Sequence, residues 1–177
     1  MKNGKLLITL IITLCVLVVV YFIVNRKRQT TAFDPAYSLY ITEYTTGNIS
    51  KGSSIRVRLT TEVSQAVIDS LGTTNLFEFS PDVKGTTRWV NNYSVEFTPE
   101  TNLESGRLYK AEFALGKVVD VPDELKNFQF DFHVIVQSFE VQVDGLKAFD
   151  KSTLEWQRIF GSVMTADVED VESIEKI

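Results

Sequence analysis

Ile55-Arg56-Val57-Arg58-Leu59 alternates strictly between apolar and cationic side chains. Successive side chains of an extended strand point to opposite faces, so this stretch buries its aliphatics and turns its arginines outward. The same period recurs on both sides. Tyr37-Ser-Leu39-Tyr-Ile41-Thr42 reads as a strand before it, and residues 76–79, 86–90, 93–97 and 109–113 read as strands after it. Residues 125–136 add a mixed stretch with Phe128, Phe130 and Phe132 on one face. Turn-formers separate these runs: residues 46–53 form a loop, Asn91-Asn92 a hairpin turn, and Pro99 stops a strand because it has no N–H for the ladder. Gln65–Leu71 reads as either a helical turn or a short strand. Short strands at roughly ten-residue spacing predict an all-β antiparallel sandwich over residues 37–136.

A second unit is expected over residues 137–177. Phe139-Glu-Val141-Gln-Val143 alternates, Asp144-Gly145 turns, residues 154–164 supply another strand, and an acidic tail follows with a short helix beginning within residues 167–174. Two or three strands cannot close a sandwich. This unit therefore reads as incomplete, needing either more chain or a protein partner on its open edges.

Ahead of the sandwich lies a different kind of sequence. Residues 1–5 are a short leader to residues 6–24, nineteen residues in which only Thr9, Thr13, Cys15 and Tyr21 are not plain hydrocarbon. As a helix the run is about 28 Å long, close to the apolar thickness of a bilayer. It runs straight into Arg26-Lys27-Arg28, and it exceeds the core of a cleaved signal. Leu14 is too bulky for the position before a lipidated Cys15. The expectation is an uncleaved signal-anchor that partners the membrane, followed by a linker over residues 25–36. Lys2 and Lys5 nearly balance the three downstream cations, so flanking charge leaves orientation open.

Charge narrows the partners. The chain carries 18 basic and 23 acidic residues; five of the basic ones flank the apolar run and no acid precedes Asp34, leaving the body a net charge of −10. Such a body repels phosphate backbones, which argues against nucleic acid. Cys15 is the only cysteine, so the body holds neither a disulfide nor a thiolate metal site.

Candidate chemistry is sparse. His133, the only histidine, lies two residues from Asp131 on one strand face, without a nucleophile tied to it by any motif. Asp167, Glu169 and Asp170 lack the glycine and spacing of a calcium loop and read as a solvated acidic face. Trp89, Tyr93 and Trp156 are candidates for an aromatic sugar platform, with burial in the core as the plainer reading. The sequons Asn48-Ile-Ser50 and Asn92-Tyr-Ser94 fall in an expected loop and turn, and matter only in a eukaryotic secretory pathway. No enzyme, cofactor or metal is expected.

One set of motifs is more specific. Phe79-Ser-Pro81-Asp-Val83-Lys-Gly85, Trp89, Val95-Glu-Phe97-Thr-Pro99 and Leu103-x-x-Gly106-x-x-Tyr109 occur in that order. Together they resemble the bacterial Ig-like domain that opens many bacterial alpha-2-macroglobulins and also occurs in surface-layer and adhesion proteins. Gly161-Ser-Val163-Met-Thr165-Ala-Asp167 further resembles the start of the macroglobulin-type domain that follows it in the Bacteroidetes branch. The resemblance gives Trp89, Phe97, Pro99, Leu103, Gly106 and Tyr109 structural roles, with Trp89 filling the core and Tyr109 bonding backbone through its hydroxyl. It implies a single-pass inner-membrane protein with its body in the periplasm, serving as a structural or spacing module of a protease-inhibiting trap. The thioester and bait segments of such traps lie outside this stretch. The alternatives are an adhesion or glycan- or protein-binding module displayed from the membrane, and a body at the cell surface or secreted after cleavage.

Overall fold

The computed structural model describes residues 34–72, 74–148 and 156–175, all within the compact unit Phe33–Ile177. The expected anchor at residues 6–24, its flanks and most of the linker lie outside the described residues. Among those described, no helix is long and apolar enough to cross a membrane.

Ten strands are described: β1 (Ile41–Tyr44), β2 (Gly47–Ile49), β3 (Ile55–Leu59), β4 (Phe77–Ser80), β5 (Gly85–Asn91), β6 (Ser94–Pro99), β7 (Leu108–Phe113), β8 (Phe128–Val134), β9 (Phe139–Ala148) and β10 (Gln157–Thr165). The protein is all-β, with two short helices, α1 (Gln65–Leu71) and α2 (Val171–Ile174). The first eight strands form two four-stranded sheets, ordered β1-β3-β6-β5 and β2-β8-β7-β4. All pairings are antiparallel except β2 with β8, which is parallel.

Alternation builds the core directly. Ile55, Val57 and Leu59 of β3 and Val95 and Phe97 of β6 face Phe128, Phe130, Phe132 and Val134 of β8 and Tyr109, Ala111 and Phe113 of β7, all of them buried. Phe77 and Phe79 stack at 6.1 Å between ring centroids, and both pack tilted against Phe97 at 6.0 and 4.6 Å, adding directional ring contacts to area burial. Between β7 and β8, two 3-10 turns (Leu115–Lys117 and Asp123–Leu125) bury Leu115, Val118, Val121 and Leu125 over the open end of the core.

Several local expectations need correction. The expected strand over residues 37–42 is a 3-10 turn, Pro35–Leu39, followed by β1. Pro35 presets φ and the Asp34 carboxylate accepts from the Ala36 N–H at 2.9 Å, so a capped turn replaces the first extended residues. The loop expected over residues 46–53 contains β2, too short and too rich in Gly and Asn to read as a strand. Asn48 therefore lies exposed on a strand. Gln65–Leu71 resolves as a helix ended by Gly72 at φ +52°. The β5–β6 turn centres on Asn92-Tyr93, one residue beyond the Asn-Asn pair, because the Asn91 side chain turns the chain by accepting the Tyr93 N–H at 2.9 Å. Trp89 is half-buried against the core edge, because β5 is an edge strand of its sheet.

The largest correction concerns the second unit. Asp144-Gly145 is not a turn: β9 runs through it without a break, and β10 pairs along its whole length as a two-stranded ribbon. Of the expected strand over 154–164, residues 154 and 155 lie outside the described residues and Trp156 precedes β10, which starts at Gln157.

Candidate interaction surface

The ribbon's character follows from its register. Val163 pairs with Val141 and Gly161 with Val143, while Ile159 pairs with Leu146, which leaves Asp144 as an extra, unpaired residue. Cross-strand partners share a face. In β9 the apolar positions are odd-numbered up to Val143 and even-numbered from Leu146; the bulge at Asp144 absorbs that switch. Phe139, Val141, Val143 and Leu146 thus stay on one face with Ile159 and Val163. The other face carries Glu140, Gln142, Lys147, Arg158 and Ser162, with Lys147 over the Phe160 ring.

Gly161 makes this register possible. A Cβ there would stand 2.3 Å from the Gln142 carbonyl oxygen, so any other residue pushes the strands apart at the bulge. The apolar face itself is uncovered: its six side chains are each 40–65 % exposed.

A polar latch ties the foot of the ribbon to the sandwich. Asp167 is buried and accepts from the Ser50 hydroxyl, from the Lys51 N–H at 2.7 Å and from the Val168 N–H at 2.7 Å. The Lys51 ammonium donates to both Glu169 oxygens at 2.9 Å, with both side chains largely buried. Gln137 completes the latch by accepting from the Asp167 N–H and donating to Glu169 at 2.8 Å. Burial pushes the Asp167 carboxyl up, but its hydrogen bonds and the Lys51 charge outweigh that and hold it below the usual range. Gln137 and Lys51 hold Glu169 low as well, against some burial. Asp170 caps α2 through the Ser173 N–H at 2.7 Å. The acidic stretch is therefore an intramolecular fastening and a helix cap, not the solvated face expected from composition. Asp167 and Glu169 point at Ser50 and Lys51, over a hundred positions away in the chain, and that separation hides the pairing from any local pattern.

The residues singled out by motif lie nearby. Tyr109 buries its ring, stacked on Phe132 at 5.6 Å, and its hydroxyl oxygen accepts from the Glu104 N–H at 3.1 Å. Gly106, at φ +71°, makes the bend that brings Glu104 back to Tyr109. Leu103 is buried, and its N–H donates to the Lys51 carbonyl at 2.9 Å. Phe97 sits in the core and Pro99 ends β6 opposite Gly85. The chain of bonds Leu103–Lys51–Asp167 thus joins the corner motif to the ribbon motif.

A second charged cluster crosses the outer face of the first sheet. Arg56 and Arg88 lie directly opposite Glu96 on its two flanking strands and donate to it at 2.5 and 2.6 Å. Arg56 holds the Glu96 carboxyl below its ordinary value against burial, with Arg88 adding to the effect.

His133 and Asp131 do share the outer face of β8, beside Leu108 and Lys110 of β7 and Asn48 of β2. None of these neighbours is a serine, threonine or cysteine. Among the described residues no group of His, Cys, Asp or Glu is gathered to hold a metal. Trp156 is exposed and Tyr93 partly so, but no ring contact joins either to Trp89.

No family model matches the chain, and no curated protein matches it. Solved structures with some likeness include L,D-transpeptidase 3 from Mycobacterium tuberculosis, at 10 % identity and TM-score 0.41, covering 56 % of this chain and 39 % of that one. An L,D-transpeptidase from Mycobacterium smegmatis matches at 11 % identity and TM-score 0.40, covering 59 % and 41 % respectively. The chain therefore spans about two fifths of these proteins. A likeness of this strength identifies neither a family nor an activity.

Proposed function

We propose that the chain is a membrane-anchored extracytoplasmic structural module: an Ig-like sandwich that spaces and presents a latched β-ribbon, as the N-terminal part of an alpha-2-macroglobulin-like protease trap in the inner membrane of a Gram-negative cell. The strand order supports the Ig-like reading. In chain order the sheets are A-B-E-D and A′-G-F-C, with the first strand switching sheets. Tyr109 adds the tyrosine corner of such sandwiches. The observation that carries the proposal is the junction at Lys51, where the corner motif and the Gly161–Asp167 motif are hydrogen-bonded into one body.

Two measurements test it. In membrane-extracted protein, an intact N-terminal peptide, with the sandwich cut by protease added outside the inner membrane, supports the anchored module; a mature start at Phe33 overturns it. In the native gene, reading continued past codon 177 into further β-domains supports the trap, and a stop codon there overturns it. The exposed Trp156 favours one second reading, a binding module displayed from the same membrane. That reading requires saturable binding of a glycan or protein that is lost in Trp156→Ala.

A further inference from the structure

The outer face of the first sheet carries an open groove of about 630 Å³, walled by the end of β1, by Ser53 and Ser54 ahead of β3, and by outward side chains of β3 and β6. Strand alternation puts Arg56 and Arg58 in it, two residues and so about 6.7 Å apart along one face. Register sets Glu43 of β1 beside Arg58 and Glu96 of β6 beside Arg56. The two arginines are used unequally. Arg56 donates through Nε and Nη2 to Glu96, which Arg88 also holds from β5. Arg58 is exposed and its side chain makes no hydrogen bond or ion pair among the described residues. The same is true of Glu43, its cross-strand neighbour.

We propose that this groove binds an acidic sugar, a glycan unit with one carboxylate such as a uronic acid, its carboxylate on Arg58 and Arg56 and its hydroxyls on Glu43, Ser53 and Ser54. Three features select that ligand. The first is donor geometry. Arg58 offers a whole guanidinium fork and Arg56 keeps Nη1, planar donors matched to a carboxylate. Glu96 already holds Arg56 in place, which lowers the cost of ordering it on binding. The second is charge. Arg56, Arg58 and Arg88 against Glu43 and Glu96 leave a surplus of one positive charge, which suits a monoanion. A phosphate dianion would meet both carboxylates at close range. The third is the call for hydroxyls. The Glu43 carboxylate only accepts, the Ser53 hydroxyl makes no hydrogen bond among the described residues, and Ser54 has only a 3.5 Å contact to Thr98. Sugar hydroxyls supply donors and acceptors to all three, whereas the side chains of an acidic peptide supply acceptors alone. The Tyr44 ring packs on Phe128 and Phe130 in the core, so recognition here is polar and uses no stacking platform. The proposal goes beyond the anchored-module reading and uses neither Trp156 nor the trap assignment.

Calorimetric titration of the detergent-solubilised full chain tests it. The probes are cellobiouronic acid, which has one carboxylate, then uncharged cellobiose, acetate, inorganic phosphate and a diglutamate peptide. Cellobiouronic acid is expected to bind saturably, and each of the other four at least about tenfold more weakly. Arg58→Ala should weaken binding about tenfold or more, as loss of a charge-assisted pair does. Lys84→Ala removes the same charge from an exposed position outside the groove and should leave binding unchanged. Circular dichroism should show an intact sandwich in Arg58→Ala, because that side chain fastens nothing in the described fold. Equal weakening by Lys84→Ala overturns the proposal, since net charge alone would then explain the binding. Equal or tighter binding of cellobiose or acetate overturns it by showing that carboxylate and sugar are not read together. Tighter binding of phosphate or of the peptide overturns it and gives the groove to that anion. A wild-type chain that binds no cellobiouronic acid in the millimolar range overturns it independently of any variant.

Discussion

The sandwich and the ribbon are written in the same alphabet and end in opposite states. In β3 and β8 alternate residues are driven to near-zero exposure because a second sheet covers them. In β9 and β10 the same alternation leaves Val141, Val143 and Ile159 more than half exposed, because nothing in the described chain covers that face. Period two therefore specifies which residues share a face, and only topology specifies whether the face is buried. The sandwich is held by area and ring packing; the ribbon is held by a bulge, a glycine and five polar side chains at its foot.

The sharpest way to break this contrast is to truncate one apolar side chain in each region. Phe97 is fully buried among Phe77, Phe79 and Gly85, so Phe97→Ala should cost about 3–5 kcal/mol. Val141→Ala, on the exposed face, should stay within about 0.5 kcal/mol under monomeric conditions. Urea titrations of both variants provide the measurement, and equal losses would show that the ribbon is as buried as the sandwich.

Next in size is Gly161→Val. Its side chain would enter the space of the Gln142 carbonyl, and overpacking of this kind costs about 1–3 kcal/mol. Because the strain sits at the bulge, amide exchange should accelerate across Gln157–Thr165 and remain slow in β3 and β8. Acceleration throughout the molecule would mean that ribbon and sandwich unfold as one unit.

Smaller still is Tyr109→Phe. The ring stays buried against Phe132, and only the bond from the Glu104 N–H is lost, worth about 0.5–1.5 kcal/mol. The change should appear as a modest fall in sandwich stability with the ribbon's amide exchange unaltered.

These regions were also unequally legible. Val57, Phe97, Phe128, Phe130 and Phe132 were readable because a strand's inward face depends only on its own alternation. Tyr109 and Gly106 were readable because motif spacing and local backbone demands coincide. By contrast, β2 opens with two residues of poor β-propensity, Gly47 and Asn48, and exists because β8 offers it a parallel edge. Asp144-Gly145 has turn chemistry, but the odd-to-even change in apolar phase beside it is the signature of a bulge. That signal was present in Val143 and Leu146, and turn propensity masked it. The latch was illegible for another reason: Ser50 and Lys51 look like loop residues until Asp167 and Glu169 are folded against them.

The finest test separates the regions by pH. Asp167 and Glu169 have folded values below those of the unfolded chain, so their contribution is present above the ordinary carboxylate range, near pH 4, and is lost as pH falls through the depressed folded values. The groups facing them are the Lys51 ammonium and the neutral Ser50 and Gln137, so protonation of the two carboxyls loosens the contact. Glu96 is held low in the same sense, yet the strands it bridges are also fastened by the buried Val57, Val95 and Phe97. On acidification the Lys51 amide should therefore gain exchange before the core amides of β6. Asp167→Asn should show that faster Lys51 exchange already at neutral pH, with a flatter pH dependence. If Lys51 and the β6 amides instead open together along one acid transition, the latch is as strong as the core, and ribbon and sandwich form a single cooperative unit.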